Sequence, residues 1–399
     1  MSVSLDEDSP SSGRKSRRDF LTYYPISLAL KNVKFRVSMR TADFDFGFPE
    51  DQIAYHPLSR GESRMMVMDR SGPSESGGAG QGPVYSHTRN LGDFLNPGDA
   101  LVLNDTKVLR ARLIGQSASG GRIEALLLAP SGSVDGEGDP AKGSRWEAMV
   151  KPGKRFRAGD RIAFSPRLTA TIAEVREDGT RLLAFDLAPV EFLRELEVTG
   201  RIPLPPYIRR EADDADAGTY QSVFAENPGS VAAPTASLHL SEAMLEAIRA
   251  KGVEILKVTL HVGAGTFKPV QAENLDGHVM HSESYLLPVD TALALNAVKR
   301  RGGKVWAVGT TVARVLETRA SSGGSEIYSP GAGETRIFIH PGYAWKGVDG
   351  LLTNFHWPRS TLFMLVCSLL GTERAKRAYQ EAFSQGFRLF SYGDAMLIR

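Results

Sequence analysis

Val258-Thr-Leu-His-Val-Gly-Ala-Gly-Thr-Phe-Lys-Pro-Val270 is the stretch from which the architecture can be read. The apolar alternation from Ile255 to Val262 predicts a strand. It runs into Gly263, Ala264, Gly265 and Thr266. Two glycines one residue apart let a backbone turn sharply and approach a ligand closely. His261 stands at the strand's end, and His278, His281 and Glu283 follow shortly after. A strand ending in a Gly-rich loop, with imidazoles and a carboxylate nearby, is where an α/β sheet holds a ligand.

The segments around this stretch alternate in the same way. Ser241 is placed to cap a helix whose Met244, Leu245 and Ile248 share one face, with Gly252 at its end. A helix over 290–300 leads to a strand Lys304–Val308, then Gly309-Thr310-Thr311 and a helix Val312–Arg319. Residues 320–334 read as a Gly/Ser loop and Ile337–Ile339 as a strand. Ser360 caps an all-apolar and therefore buried helix, and 372–385 closes the chain as an amphipathic helix. Alternating strands and helices predict an α/β layer.

The middle of the chain differs. Six short strand patterns, Val108–Ile114, Arg122–Leu128, Trp146–Val150, Arg161–Phe164, Ala170–Val175 and Arg181–Asp186, are separated by turn signals, with almost no helix before Glu191. That spacing predicts a small antiparallel barrel or sandwich. The expected organisation is a large α/β domain from 41–105 and 205–399, a β-barrel-like domain 106–204 inserted in it, and a disordered extension 1–40. The extension carries a net +4, against −2 for the remainder. Its Ser16-Arg17-Arg18-Asp19-Phe20-Leu21 matches a twin-arginine pattern, but the apolar run after it is short, broken by Lys31 and without a cleavage site. Met39 is the expected natural initiator, and 1–38 are expected to be dispensable.

Composition narrows the function classes. One cysteine, Cys367, excludes a disulfide framework and a Cys-based metal site, and suits the cytoplasm. The longest apolar run, 362–370, falls far short of the roughly 20 residues that span a bilayer. Net charge is +2, so a nucleic-acid surface must be a local patch. Residues 145–157 supply one, with Arg145, Lys151, Lys154, Arg155 and Arg157 against Glu147 alone.

Several groups can carry chemistry. Gly309-Thr310-Thr311 lies between a strand and a helix start, where free N–H groups favour an anion, with Arg314 one turn in. His281 and Glu283 share a strand face if 281–287 is extended, which would pair an imidazole with a carboxylate. The spacing His278-x-x-His281 does not match a helical metal pair, and no metal is expected. Asn354 and His356 precede the capped helix, and Asp394 lies in a turn near the C-terminus.

In order along the chain, Phe44-Asp-Phe-Gly-Phe-Pro-Glu, Leu103-Asn-Asp-Thr-Lys-Val, Val150-Lys-Pro-Gly-Lys154, Pro203-Leu-Pro-Pro-Tyr-Ile208, Leu260-His-Val-Gly-Ala-Gly-Thr-Phe267, His281-Ser-Glu283, Gly309-Thr-Thr, Thr353-Asn-Phe-His-Trp-Pro358 and Ser391-Tyr-Gly-Asp-Ala-Met396 resemble one family. It is the S-adenosylmethionine:tRNA ribosyltransferase-isomerase family of queuosine biosynthesis, and the resemblance spans about 43–399. The departures are Ser237 and Leu240, where the family has Gly and Phe, and Arg110, where it has Pro.

The resemblance implies an enzyme that moves the ribosyl part of S-adenosylmethionine onto a 7-aminomethyl-7-deazaguanine at the tRNA wobble position. Epoxyqueuosine-tRNA, adenine and methionine are the products. S-adenosylmethionine is then a co-substrate, with no permanently bound cofactor, and the chain is expected to act as a monomer. His261 or His281 is the expected base, with Glu283 as its orienter, and Asp394 or His356 the expected acid. Gly263, Gly265, Thr266, Thr310, Thr311, Arg314 and Asn354 are the expected S-adenosylmethionine contacts, and Arg110, Lys151, Lys154, Arg155, Tyr207 and Arg209 the tRNA contacts. A non-catalytic tRNA-binding module is the alternative; it leaves the imidazole-rich loops without a purpose.

Overall fold

The computed structural model describes residues 39–70, 82–131, 143–153, 156–263, 270–321 and 326–399. The expected extension 1–38 lies outside these residues, as do Gly265, Thr266, Lys154 and Arg155.

The described residues open with 3-10 turns and then β1 (Arg64–Met68), β2 (Val84–His87), β3 (Ala100–Asn104) and β4 (Thr106–Val108). The next six strands are β5 (Arg112–Ser117), β6 (Arg122–Pro130), β7 (Ser144–Lys151), β8 (Arg161–Ala163), β9 (Thr169–Val175) and β10 (Arg181–Phe185). Helix α1 (Pro189–Thr199), a short α2 (Asp216–Thr219), β11 (Asn227–Ser230) and α3 (Glu242–Ala250) lead to β12 (Glu254–Leu260). Then come β13 (Glu283–Leu287), α4 (Val289–Arg300), β14 (Val305–Val308), α5 (Thr310–Arg319), β15 (Gly331–Thr335) and β16 (Gly350–Asn354). Helices α6 (Thr361–Leu370) and α7 (Thr372–Ser384) precede the last strand, β17 (Ala395–Ile398).

Nine strands form one mixed sheet in the order β15-β13-β12-β3-β14-β16-β17-β1-β2. Its centre, β12, β3, β14 and β16, is parallel. Strands β3, β14 and β16 are buried along their whole length, and β12 over its last three residues, as near-continuous apolar sequences require. Ala100 and Val102 enter one core with α4 to α7, and Leu101 and Leu103 enter a second with α3. Val305 and Ala307 against Trp306 and Val308 repeat the division on β14. Full burial of each such aliphatic side chain stabilises by about 1.5–3 kcal/mol, so the sheet's centre is the rigid part of the fold.

Strands β5 to β10 close an antiparallel barrel, β10-β7-β6-β5-β8-β9, around its own core of Leu113, Ile123, Leu127, Ile172 and Phe185. The strands approach closely where β5 meets β8. A Cβ on Gly115 would lie 2.6 Å from the Ala163 carbonyl oxygen, so only glycine fits there. The mixed α/β class with a closed barrel agrees with the expectation from sequence.

Two local expectations need correction. Val108–Ile114 is not one strand: Ala111 N–H bonds back to the Leu109 carbonyl at 2.7 Å, and the chain leaves its pairing with β11 for the barrel. The strand expected at 337–339 lies instead at Gly331–Thr335, paired antiparallel with β13. Backbone pairing to an open sheet edge outweighs the poor strand propensity of Gly-Ala-Gly. Ile337, Phe338 and Ile339 line a cavity.

Candidate active site at the strand ends

The parallel strands deliver Asn104, His261, Gly309 and Asn354 to their carboxyl ends. Asn104, at the end of β3, ties that strand to β12, β4 and the start of α5. Its Oδ1 accepts from Leu260 N at 3.0 Å and Thr106 N at 3.2 Å, while its Nδ2 donates to the Leu260 carbonyl at 2.9 Å and to Thr311 Oγ1 at 3.4 Å. Buried amides persist when saturated in this way. Asn104 was not among the sequence-derived candidates; a polar residue closing the apolar run Ala100–Leu103 was the available signal.

His261 is half-buried and held from two sides. Its Nδ1 hydrogen-bonds Thr106 Oγ1 at 2.8 Å, and Gly229 lies so close that an added Cβ would sit 2.7 Å from the ring. Burial pushes its pKa down, partly opposed by the Asp105 carboxylate, so the neutral form required of a base is favoured near pH 7. Gly263, two residues on, donates its amide to Glu283 Oε1 at 2.9 Å.

Glu283 opens β13, and its other oxygen accepts from Arg314 Nη1. Both side chains are buried, at 4% and 7% exposure. His281 precedes the strand rather than sharing its face, and is exposed. His281, Glu283 and Arg314 line one cavity of about 410 Å³, together with His278, Phe338, Thr361 and Leu362. Leu362 also lines a narrow cleft of about 30 Å³ holding Asn354 and His356. His261, Thr310, Thr311 and Asp394 line neither space.

Asn354 sits in a saturated network: its Oδ1 accepts from Thr235 Oγ1 at 3.0 Å, and its Nδ2 meets His239 Nε2 at 3.2 Å and the Phe390 carbonyl at 3.1 Å. Phe390 adopts φ 69, a left-handed value rare for an aromatic residue, and stacks on Trp357 with ring centroids 3.9 Å apart. Strain of this kind collects at functional sites, where surrounding contacts over-determine it. His356 Nε2 bonds Thr353 Oγ1 at 2.7 Å, and burial pushes its pKa down to about 3. Asp394 accepts Arg64 N and Arg388 N, each at 2.8 Å, and burial raises its pKa. Thr310 and Thr311 begin α5 behind Gly309, whose φ of 93 supplies the turn and whose amide bonds the Leu352 carbonyl at 2.8 Å.

A family described as "Queuosine biosynthesis protein" matches residues 41–398. The S-adenosylmethionine:tRNA ribosyltransferase-isomerase of Methylocella silvestris is 46% identical, covering 90% of this chain and 98% of that one. The protein of the same name from Citrifermentans bemidjiense is 47% identical, over 90% of this chain and 100% of that one. The chain belongs to the S-adenosylmethionine:tRNA ribosyltransferase-isomerase family of queuosine biosynthesis. A solved S-adenosylmethionine tRNA ribosyltransferase from Thermotoga maritima is 32% identical across 90% of this chain and 100% of that one, with a TM-score of 0.48.

Within this ribosyltransferase-isomerase family the Ser237 departure costs no backbone strain. It lies in a 3-10 turn, Thr235–His239, and is not among the positive-φ residues; its buried hydroxyl has no partner among the described residues. Of the residues expected to meet tRNA, Lys151 and Arg209 are exposed, while Arg110 pairs with Glu197 at 3.4 Å. Tyr207 points its hydroxyl inward to Ser391, whose amide donates to it at 2.8 Å, and burial pushes its pKa up to about 12. Among the described residues no group of His, Cys, Asp and Glu is arranged to hold a metal ion, and no helix is long and apolar enough to cross a membrane.

Proposed function

We propose that this chain transfers the ribosyl moiety of S-adenosylmethionine to the aminomethyl group of a 7-aminomethyl-7-deazaguanine at the tRNA wobble position. The ribosyl ring is isomerised to an epoxycyclopentane, and adenine and methionine depart, leaving epoxyqueuosine-tRNA. The observation that carries the reading is the match, over 90% of this chain and 98–100% of theirs, to relatives that bear this enzyme's name at 45–47% identity.

The site's chemistry supports it. The sulfonium of S-adenosylmethionine acidifies the neighbouring ribose C–H, so a neutral imidazole suffices as base. His261, held neutral by burial, and His281, beside the cavity, are the two candidates. Of the two expected acids, Asp394, whose pKa burial raises, is the better candidate for adenine's departure; His356, pushed down to about 3, is neutral near pH 7. Arg314, which lines the cavity, is the co-substrate contact the geometry favours, and Gly263, Gly265, Thr266, Thr310, Thr311 and Asn354 are further proposed contacts, of which Thr310 and Thr311 line neither cavity nor cleft. A base acted on within RNA must leave its stack, and an exposed cavity edge at His281 gives it somewhere to go. The exposed Lys151 and Arg209, with Lys154, Arg155 and Arg110, are the proposed tRNA contacts, on an inserted barrel domain of 106–204 and the segment after it; the inward-turned hydroxyl of Tyr207 argues against a tRNA role for that side chain.

On this reading the protein is a cytoplasmic monomer that needs no resident cofactor. Mass spectrometry of tRNA bearing the aminomethyl base, after incubation with protein and S-adenosylmethionine, tests the reaction. The mass of the epoxycyclopentane adduct is expected; unmodified tRNA with intact S-adenosylmethionine would refute the activity.

A further inference from the structure

We infer that the second edge of the Arg314 guanidinium, in the cavity it lines with His281 and Leu362, receives the α-carboxylate of the methionyl end of S-adenosylmethionine. This rests on the functional reading above and deepens it by fixing which end of the co-substrate enters the cavity.

The ground is an incomplete hydrogen-bond account. Arg314 is 6% exposed, and Glu283 engages only its Nη1. Its Nε and Nη2 are buried with no partner among the described residues. Leaving charged donors dry costs free energy that a bound anion would recover. Nε and Nη2 are also the two nitrogens that point the same way along one side of a guanidinium. Their parallel N–H bonds match the two oxygens of a carboxylate, the bidentate pairing at which Arg excels.

The surroundings select the anion. Glu283 already neutralises Arg314, so a dianionic phosphate would meet a carboxylate at close range and gain little net attraction. A monoanion that brings its own ammonium group suits a paired cation and anion better. Thr361, the first residue of α6, lines the same cavity, and a helix N-terminus adds positive potential. Gln271 and His278 add polar groups to the wall, while Ile337, Phe338, Ile339, Leu362 and Leu365 give it an apolar stretch that fits a methylene and S-methyl chain. A volume of about 410 Å³ is within the range of small-molecule sites.

The test compares equilibrium binding of S-adenosylmethionine and of its decarboxylated analogue, which keeps the adenosyl sulfonium and lacks the carboxylate, by titration calorimetry on the full chain. Wild-type protein is expected to bind the analogue at least tenfold more weakly. Arg314→Lys keeps a cation beside Glu283 but loses the two-pronged edge. It should weaken S-adenosylmethionine about tenfold and leave the analogue's affinity unchanged. Leu362→Trp, which fills the cavity without touching the ion pair, should weaken both ligands.

Equal wild-type affinities for the two ligands would overturn the inference while leaving the enzyme reading intact. Wild-type affinity in Leu362→Trp would place the ligand elsewhere and overturn it too. If S-adenosylmethionine itself fails to bind, the functional reading falls and the inference with it.

Discussion

His261 shows how much of a functional side chain's behaviour comes from its neighbours. A lone histidine after a strand has two tautomers and free rotation; here Thr106 fixes one nitrogen and Gly229 packs against the ring. Gly229→Ala would press a methyl group into the imidazole and move it by several tenths of an ångström or more. Because a base works only in a narrow geometry, turnover on modified tRNA should fall at least about tenfold. Binding of S-adenosylmethionine should change far less; wild-type turnover would mean that this ring is not the base. Two other imidazoles predict a pH response of stability. Burial, with Arg60 and Arg388 adding to it, pushes His239 down to about 4, and burial alone pushes His356 to about 3, against an ordinary 6.5. Between those values and 6.5 only the unfolded chain takes up the protons. The stability they contribute is therefore complete above pH 6.5 and is lost as pH falls toward 4 and then 3. Acidification from pH 7 to 5 should cost on the order of 2 kcal/mol for each, read by urea denaturation. A flat profile would mean the rings are not buried neutral.

Helix α5 and strand β13 meet through an ion pair set in largely apolar surroundings. Glu283→Ala removes the carboxylate partner of a guanidinium that is 6% exposed, which should destabilise by about 3 kcal/mol in chemical denaturation. Replacing both members, Glu283→Leu with Arg314→Met, should recover most of that deficit, because no buried charge is then left unpaired. If the double variant is as unstable as the single, the Gly263 amide bond to Glu283 matters more than the pair. The recovered stability should come without recovered S-adenosylmethionine binding, since the guanidinium itself is gone. Capping of the neighbouring cavity wall is local by comparison: Ser360 accepts from Phe363 N at 3.1 Å and starts α6 where its sequence says it should.

The molecule as a whole divides its work between a rigid sheet and a barrel whose sequence is basic around β7. Reversing Lys151 and Lys154 to Glu should weaken tRNA binding and flatten its dependence on log salt by about one unit for each phosphate no longer neutralised. Affinity for S-adenosylmethionine should be unaffected, and an unchanged salt slope would put the RNA on another face. Much of this architecture was legible beforehand. Period-two patterns, Gly turns and the caps at Ser241 and Ser360 are local signals, and they carried the α/β layers, the barrel and the strand-end position of His261 and Gly309. Where pairing partners compete, local signals fail: Gly331–Thr335 becomes an edge strand because β13 offers unpaired backbone groups, and the apolar Ile337–Ile339 is left to wall a cavity. The roles of Asn104 and Gly229 were equally out of reach, since each acts on residues distant in the chain, Leu260 with Thr311 and His261 respectively. By itself the order of residues determined most of the elements, the caps at Ser241 and Ser360 and the family; only the folded chain decided that Glu283 pairs with Arg314. Hydrogen bonds and ion pairs depend on distances and directions that no spacing along a chain contains, because they are set by how the buried faces of the sheet and helices pack.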